Sequence, residues 1–134
     1  MGVALLDTSV VIAVLNRDDA LHAAASRAVL ALRRSHVLAI SVVTYAELLV
    51  GPLRAGAGAV RTVERFAEET RILDLSPQVA RAAAELRARG KLGLADAIVV
   101  ATGLHNDVDL ILTADARWRG LAKVQVVAPG GGAG

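Results

Sequence analysis

Short runs of consecutive apolar residues alternate along this chain with longer stretches in which apolar positions recur at helical spacing. Val3–Leu6 is the first such run, ended by Asp7-Thr8-Ser9, and Val10–Asn16 then has helical character. Arg17-Asp18-Asp19 breaks the pattern, and an Ala-rich stretch from Leu21 to Arg34 predicts a second helix. Val37–Ile40 reads as a buried strand ended by Ser41, with a helix over Val43–Val50 that Gly51-Pro52 is expected to stop. The Gly and Ala of positions 55–59 predict a flexible turn, followed by a helix to about Glu69. Arg71–Leu75 reads as a third strand. Ser76-Pro77 suits an N-cap and first turn, opening a helix that runs to Arg89 and ends at Gly90. Leu94–His105 is apolar nearly all round, which predicts a buried helix. Leu110–Thr113 and Val124–Val127 supply the fourth and fifth strands.

Strands that alternate with helices must pair in parallel through crossover connections. The expected fold is therefore α/β, a three-layer α/β/α sandwich with a mostly parallel five-stranded sheet. It would form one domain over residues 1–128, with a disordered Gly-rich tail at 129–134. In open sheets of this kind ligands bind beyond the carboxyl ends of the strands, so the residues just after each strand are the ones that carry chemistry.

Composition narrows the classes. Hydrophobic residues make up 54% of the 134, but aromatics only 2%, namely Tyr45, Phe66 and Trp118. The core must be aliphatic, and recognition by stacking bases on aromatic platforms is disfavoured. The longest apolar runs, such as Val10–Leu15, fall short of the ~20 residues that a bilayer span needs. No Lys or Arg precedes the first apolar stretch and Asp7 interrupts it, so a secretory signal fits poorly and a cytoplasmic location is expected. With no Cys there is no disulfide, thiolate nucleophile or thiolate-bound zinc. Net charge is only +2, yet Arg54–Lys91 holds eight basic residues against five acidic. That imbalance suits a polyanion near the site, although scattered Arg on helices equally describes a solvated surface.

Four carboxylates fall where the topology places chemistry. Asp7 follows the first strand, Asp115 lies two residues past the fourth, Asp96 opens the buried helix, and Glu47 stands in the helix leaving the second strand. Singly, each has a plainer explanation. The three Asp stand where helix N-caps do, each worth ~1 kcal/mol. Thr44 and Glu47 have capping-box spacing, unless that helix starts as early as Ser41. Together they are harder to explain so, because two carboxylates ~5 Å apart repel by roughly 3 kcal/mol at an effective dielectric near 20. No Lys or Arg lies directly within these motifs to neutralise them. An oxygen-only cluster is what Mg²⁺ or Mn²⁺ prefers.

The residues Leu5-Leu6-Asp7-Thr8-Ser9, Glu47-Leu48-Leu49-Val50-Gly51, Leu94–Thr102 around Asp96, and Leu112-Thr113-Ala114-Asp115 match, in order, the four motifs of the PIN-domain ribonucleases. The chain resembles that family's VapC toxin type from about Val3 to Pro129, with Trp118 where the family more often has Phe. The resemblance implies a PIN-like fold and Mg²⁺- or Mn²⁺-dependent cleavage of RNA. It implies that Asp7, Glu47, Asp96 and Asp115 are both catalytic and metal-binding, with Thr8, Ser9 and Thr113 in support. It further implies a homodimer, an RNA substrate and a cognate VapB-type antitoxin lying across the site. The alternative is a non-catalytic PIN-like RNA-binding or regulatory partner protein.

Other classes lack their signatures. There is no G-x-S-x-G elbow for acyl transfer. Gly51 and Gly56 have P-loop spacing, but Ala57 stands where the Lys should be. Gly56-Ala57-Gly58 starts a dinucleotide fingerprint after a helix, not a strand, and reaches Arg61 in place of the third Gly. A metal-dependent phosphatase or receiver domain leaves the Glu47 motif without a role. His22, His36 and His105 are scattered, and Asp18, Asp19, Asp107 and Asp109 lie in polar turns, so none is assigned chemistry.

Overall fold

The computed structural model describes residues 1–128, so the tail expected at 129–134 lies outside the described residues. Five strands, β1 (Gly2–Leu6), β2 (His36–Ser41), β3 (Arg71–Leu73), β4 (Leu110–Thr113) and β5 (Val124–Val126), form one sheet in the order β3-β2-β1-β4-β5. Every pairing is parallel, with Ala4 opposite Leu38 on one side and Leu110 on the other. Six helices connect them: α1 (Thr8–Leu15), α2 (His22–Arg33), α3 (Val42–Ala55), α4 (Ala57–Glu68), α5 (Pro77–Arg89) and α6 (Leu94–His105).

The alternation of side chains along each strand divides the core in two. Ala4 and Leu6 of β1, Leu38 and Ile40 of β2, and Leu110 and Leu112 of β4 face α1–α4, meeting Val10, Val29, Leu48 and Phe66. Leu5, Ala39 and Ile111 point the other way, onto Val99 and Val100 of α6 and onto Trp118. α5 packs outside α6 through Val79 and Ala83 against Ala97 and Ala101. This is the expected three-layer sandwich. Gly103 lets α6 lie close on the sheet, since a Cβ there would come within 2.7 Å of Ile111 and 3.1 Å of Leu5.

Several boundaries differ from expectation. α3 does not stop at Gly51-Pro52 but carries Pro52 within it to Ala55. Proline removes one N–H near the end of the helix, while Leu48, one turn earlier, stays in one core cluster with Val63 and Phe66 of α4. The stop is Gly56, at φ 147° and ψ 172°, whose N–H still bonds the Pro52 carbonyl at 3.0 Å. That φ lies outside what L side chains readily adopt, so a single glycine replaces the expected five-residue turn. β3 is only three residues long and ends before Asp74 and Leu75. α1 begins at Thr8, two residues early, which brings Asp7 to its N-cap position.

Among the described residues no helix is long and apolar enough to cross a membrane.

Candidate active site

β1 lies between β2 and β4, and the chain winds outward from it in both directions, to β2 and β3 on one side and to β4 and β5 on the other. The carboxyl ends of β1 and β4 thus flank the switch point where open sheets bind ligands. Asp7 leaves β1 at that point, its N–H bonded to the Leu112 carbonyl at 2.9 Å. Its side chain is buried and makes no capping bond into α1, so capping does not explain it. Instead Oδ2 accepts from Ser9 Oγ at 2.7 Å and from Thr113 Oγ1 at 2.8 Å. Those hydroxyls in turn accept from the backbone N–H groups of Ala114 and Asp115, both at 3.0 Å. Each proton is committed to Asp7, which ties β1, α1 and the β4 exit loop into one unit. Burial pushes the Asp7 carboxyl above the usual carboxylate range; the two hydroxyl bonds pull it back, and the nearby charge of Glu47 adds to the upward shift.

A second relay orients Glu47. Thr8 Oγ1 lies 2.7 Å from Glu47 Oε1 and 2.9 Å from Thr44 Oγ1. A hydroxyl carries one proton, and a carboxylate can only accept, so Thr8 donates to Glu47 and accepts from Thr44. Thr44 accepts in turn from Ser41, at 3.2 Å. Ser41 is also the N-cap of α3, taking the Thr44 N–H at 3.0 Å. The helix therefore starts too early for Glu47 to serve a capping box, and the plainer explanation fails for it too.

Asp96 is the third residue of α6, behind an N-cap that is Gly93, so it is not the cap the sequence suggested. Burial raises its carboxyl, and the negative charges of Asp7, Asp115 and Glu47 raise it further while Arg117 lowers it. Asp115 does act as a cap. It opens a 3₁₀ turn at Ala116–Trp118 and accepts the Arg117 N–H at 2.9 Å. The Arg117 guanidinium also grips it, Nε at 3.0 and 3.1 Å from the two oxygens and Nη2 at 2.6 Å from Oδ2. Those bonds hold the Asp115 carboxyl below the usual range.

The motifs themselves hold no Lys or Arg, but Arg117, two residues past Asp115, faces it directly. The signal was present, since Asp-x-Arg across a 3₁₀ turn puts backbone and side-chain donors on one carboxylate. No three acidic or His side chains among the described residues are close enough to hold a metal ion as they stand. All four carboxylates nevertheless come from separate elements to the same end of the sheet, near enough that Asp96 feels the other three.

Three of the eight basic residues between Arg54 and Lys91 pair with acids on their own helices. Arg61 pairs with Glu68, and Arg81 and Arg89 both pair with Glu85. The solvated-surface reading holds for those residues. His22 bonds the Ala13 carbonyl and His36 the Ser35 hydroxyl, as structural residues do. Asp109 accepts the Val3 N–H at the far end of the sheet.

The family model of the PIN domain matches residues 4–124. The chain belongs to the PIN-domain family. Solved structures resemble this PIN domain along almost its whole length. A VapBC2 complex from Rickettsia felis, bound to a DNA fragment from its promoter, superposes with a TM-score of 0.76 at 15% identity, covering 98% of this chain and 99% of that one. A toxin–antitoxin complex from Klebsiella pneumoniae gives 0.75 at 26% identity, covering 96% and 98%. The Mycobacterium tuberculosis toxin VapC20, which cleaves the sarcin-ricin loop, gives 0.72 at 21%, covering 93% and 99%. No curated protein sequence matches the chain significantly.

Proposed function

We propose that this PIN domain is an endoribonuclease that uses Mg²⁺ or Mn²⁺ held among Asp7, Glu47, Asp96 and Asp115. We further propose that it is the toxin of a toxin–antitoxin pair, a homodimer restrained by a cognate VapB-type antitoxin. The observation that carries this reading is that Asp7, Glu47 and Asp115, from the end of β1, from α3 and from the β4 exit, lie near enough to Asp96 of α6 for their charges to raise its carboxyl. What supports RNA as substrate and an antitoxin as partner is the likeness to VapC20 and to toxin–antitoxin complexes.

The donor set suits a hard divalent cation. It offers oxygen only, and its charges raise the Asp96 carboxyl through mutual repulsion that a cation would relieve. A bound ion would supply an acidified water for attack on phosphorus and would stabilise the leaving oxygen. The chain's own residues provide the rest. Ser9 and Thr113 fix Asp7 through Oδ2, so neither hydroxyl takes up Oδ1. Thr8 fixes Glu47, and Arg117 holds Asp115 until that carboxylate turns toward the set.

The Asp115–Arg117 pair favours one rival, a non-catalytic PIN-like RNA-binding or regulatory protein in which arginine permanently neutralises the rim. Cleavage assays separate the two. Purified protein freed of antitoxin is expected to cut RNA with Mg²⁺ or Mn²⁺, to stop with EDTA, and to lose at least 100-fold in rate as Asp7→Asn or Asp96→Asn. Equal cleavage by wild type and both variants would defeat the assignment, and absence of cleavage with retained RNA binding would favour the rival. Light scattering at micromolar concentration reads the dimer, which a monomeric mass would exclude.

A further inference from the structure

Glu47 is exposed and its side chain is long and flexible, yet its carboxylate has to stay beside Asp7 if the two are to act on one cation. What steadies it leads away from solvent. Thr8, which holds Oε1, is half-buried at the start of α1, and Thr44 and Ser41 behind it are both 0% exposed. The line Ser41–Thr44–Thr8–Glu47 thus runs from the core at the end of β2 outward to the rim. It also crosses between elements. Ser41, Thr44 and Glu47 stand at and after the start of α3, whereas Thr8 is the first residue of α1, directly after Asp7.

Because the outer end of the line is a carboxylate, which can only accept, every proton in it points outward. Ser41 Oγ takes the Thr44 N–H and gives its own proton to Thr44 Oγ1. Capping α3 needs only the first of these bonds. A valine in place of Thr44 would keep that backbone bond and fill nearly the same volume without burying a hydroxyl. Capping therefore leaves the Thr44 hydroxyl unexplained, and its two partners are Ser41 and Thr8.

We propose that Thr44, with Ser41 behind it, is a positioning residue that fixes Thr8 Oγ1 and, through it, the place of the Glu47 carboxylate beside Asp7. The inference rests on the nuclease reading only in taking Glu47 as a ligand of the cation. The hydroxyl line anchors an exposed carboxylate to the core and ties the start of α3 to the start of α1, so the two acids keep one separation.

A double-mutant cycle, read by calorimetric titration of Mn²⁺ alone into the antitoxin-free protein, tests this. Thr8→Val is expected to weaken Mn²⁺ binding about tenfold and Thr44→Val at least threefold, as loss of a residue behind a metal ligand does. In the double variant Thr44→Val is expected to add nothing to Thr8→Val, because its effect passes through that hydroxyl. Thr44→Ala should behave as Thr44→Val does, and Thr44→Ser, which restores the hydroxyl, should recover most of the affinity. In cleavage assays Thr44→Val should raise the Mn²⁺ concentration that gives half-maximal rate while leaving KM for RNA in place.

Three results overturn the positioning role: Mn²⁺ affinity unchanged in Thr44→Val and Thr44→Ala, a loss in Thr44→Ser as large as in Thr44→Val, or an effect that adds in full to that of Thr8→Val. The two readings fail separately. RNA cutting with the same Mn²⁺ dependence in wild type and Thr44→Val loses the positioning and keeps the nuclease. A Thr44-dependent Mn²⁺ affinity without RNA cutting does the reverse. A wild type that takes up no Mn²⁺ overturns both.

Discussion

A buried aspartate with hydroxyl partners but no cation lowers stability at neutral pH, because its charged form is poorly solvated. Asp7 is in that position, and the direction of its shift fixes a pH dependence. Its folded value is raised above the ordinary 3.8, so between the two values the folded state holds more protons than the unfolded one. Stability of the metal-free protein therefore falls as pH rises through that window and stays lowered above it. Asp115 and Asp107, shifted down by Arg117 and Lys123, act oppositely, and their contribution is lost only as pH drops below 3.8. Asp7→Asn keeps an acceptor for Ser9 or Thr113 and removes the buried charge. It is expected to stabilise the metal-free protein at pH 7 by on the order of 1 kcal/mol, with the gain shrinking toward pH 4. Chemical denaturation of both proteins across that range measures it. A variant less stable than wild type at pH 7 would show that the charge is already compensated.

Elements follow from pattern wherever one face is buried, and the sequence is ambiguous where a single residue decides. The continuous apolar run of β1 and the all-round apolarity of α6 were readable because each packs on two sides. The α3–α4 junction was not, because Gly51-Pro52 carries the stronger local stop signal and only tertiary packing, with Leu48 in one core cluster with Val63 and Phe66, overrides it. The two glycines near that junction are consequently not equivalent. Gly56→Ala, at φ 147°, is expected to cost about 1–2 kcal/mol. Gly58→Ala, inside α4 with open space around its Cβ position, is expected to stabilise by about 0.5–1 kcal/mol. Thermal melts of the two variants should move in opposite directions; shifts of the same sign would refute Gly56 as the helix stop.

At the scale of the whole molecule, the placement of Asp7 and Asp115 followed from topology, since residues that follow parallel strands must emerge at one edge, whereas Glu47 and Asp96 stand on helices and were matched to the site by the family motifs. What the sequence could not convey was how each carboxylate is held. The Ser41–Thr44–Thr8 relay to Glu47 joins residues 39 positions apart, and Thr113 reaches Asp7 across 106. Arg117 was close in sequence to Asp115, but its capture of both oxygens depends on the 3₁₀ turn that follows. The central claim is that these four side chains share one cation-binding locus once Asp115 leaves Arg117. Calorimetric titration of Mn²⁺ into the antitoxin-free protein tests this most directly, using Asp74→Asn, an exposed acid past β3, as control. The expected result is saturable binding that weakens at least tenfold in Asp7→Asn and in Asp96→Asn and is unchanged in Asp74→Asn. Binding of equal strength in all four proteins, or none in wild type, would contradict it.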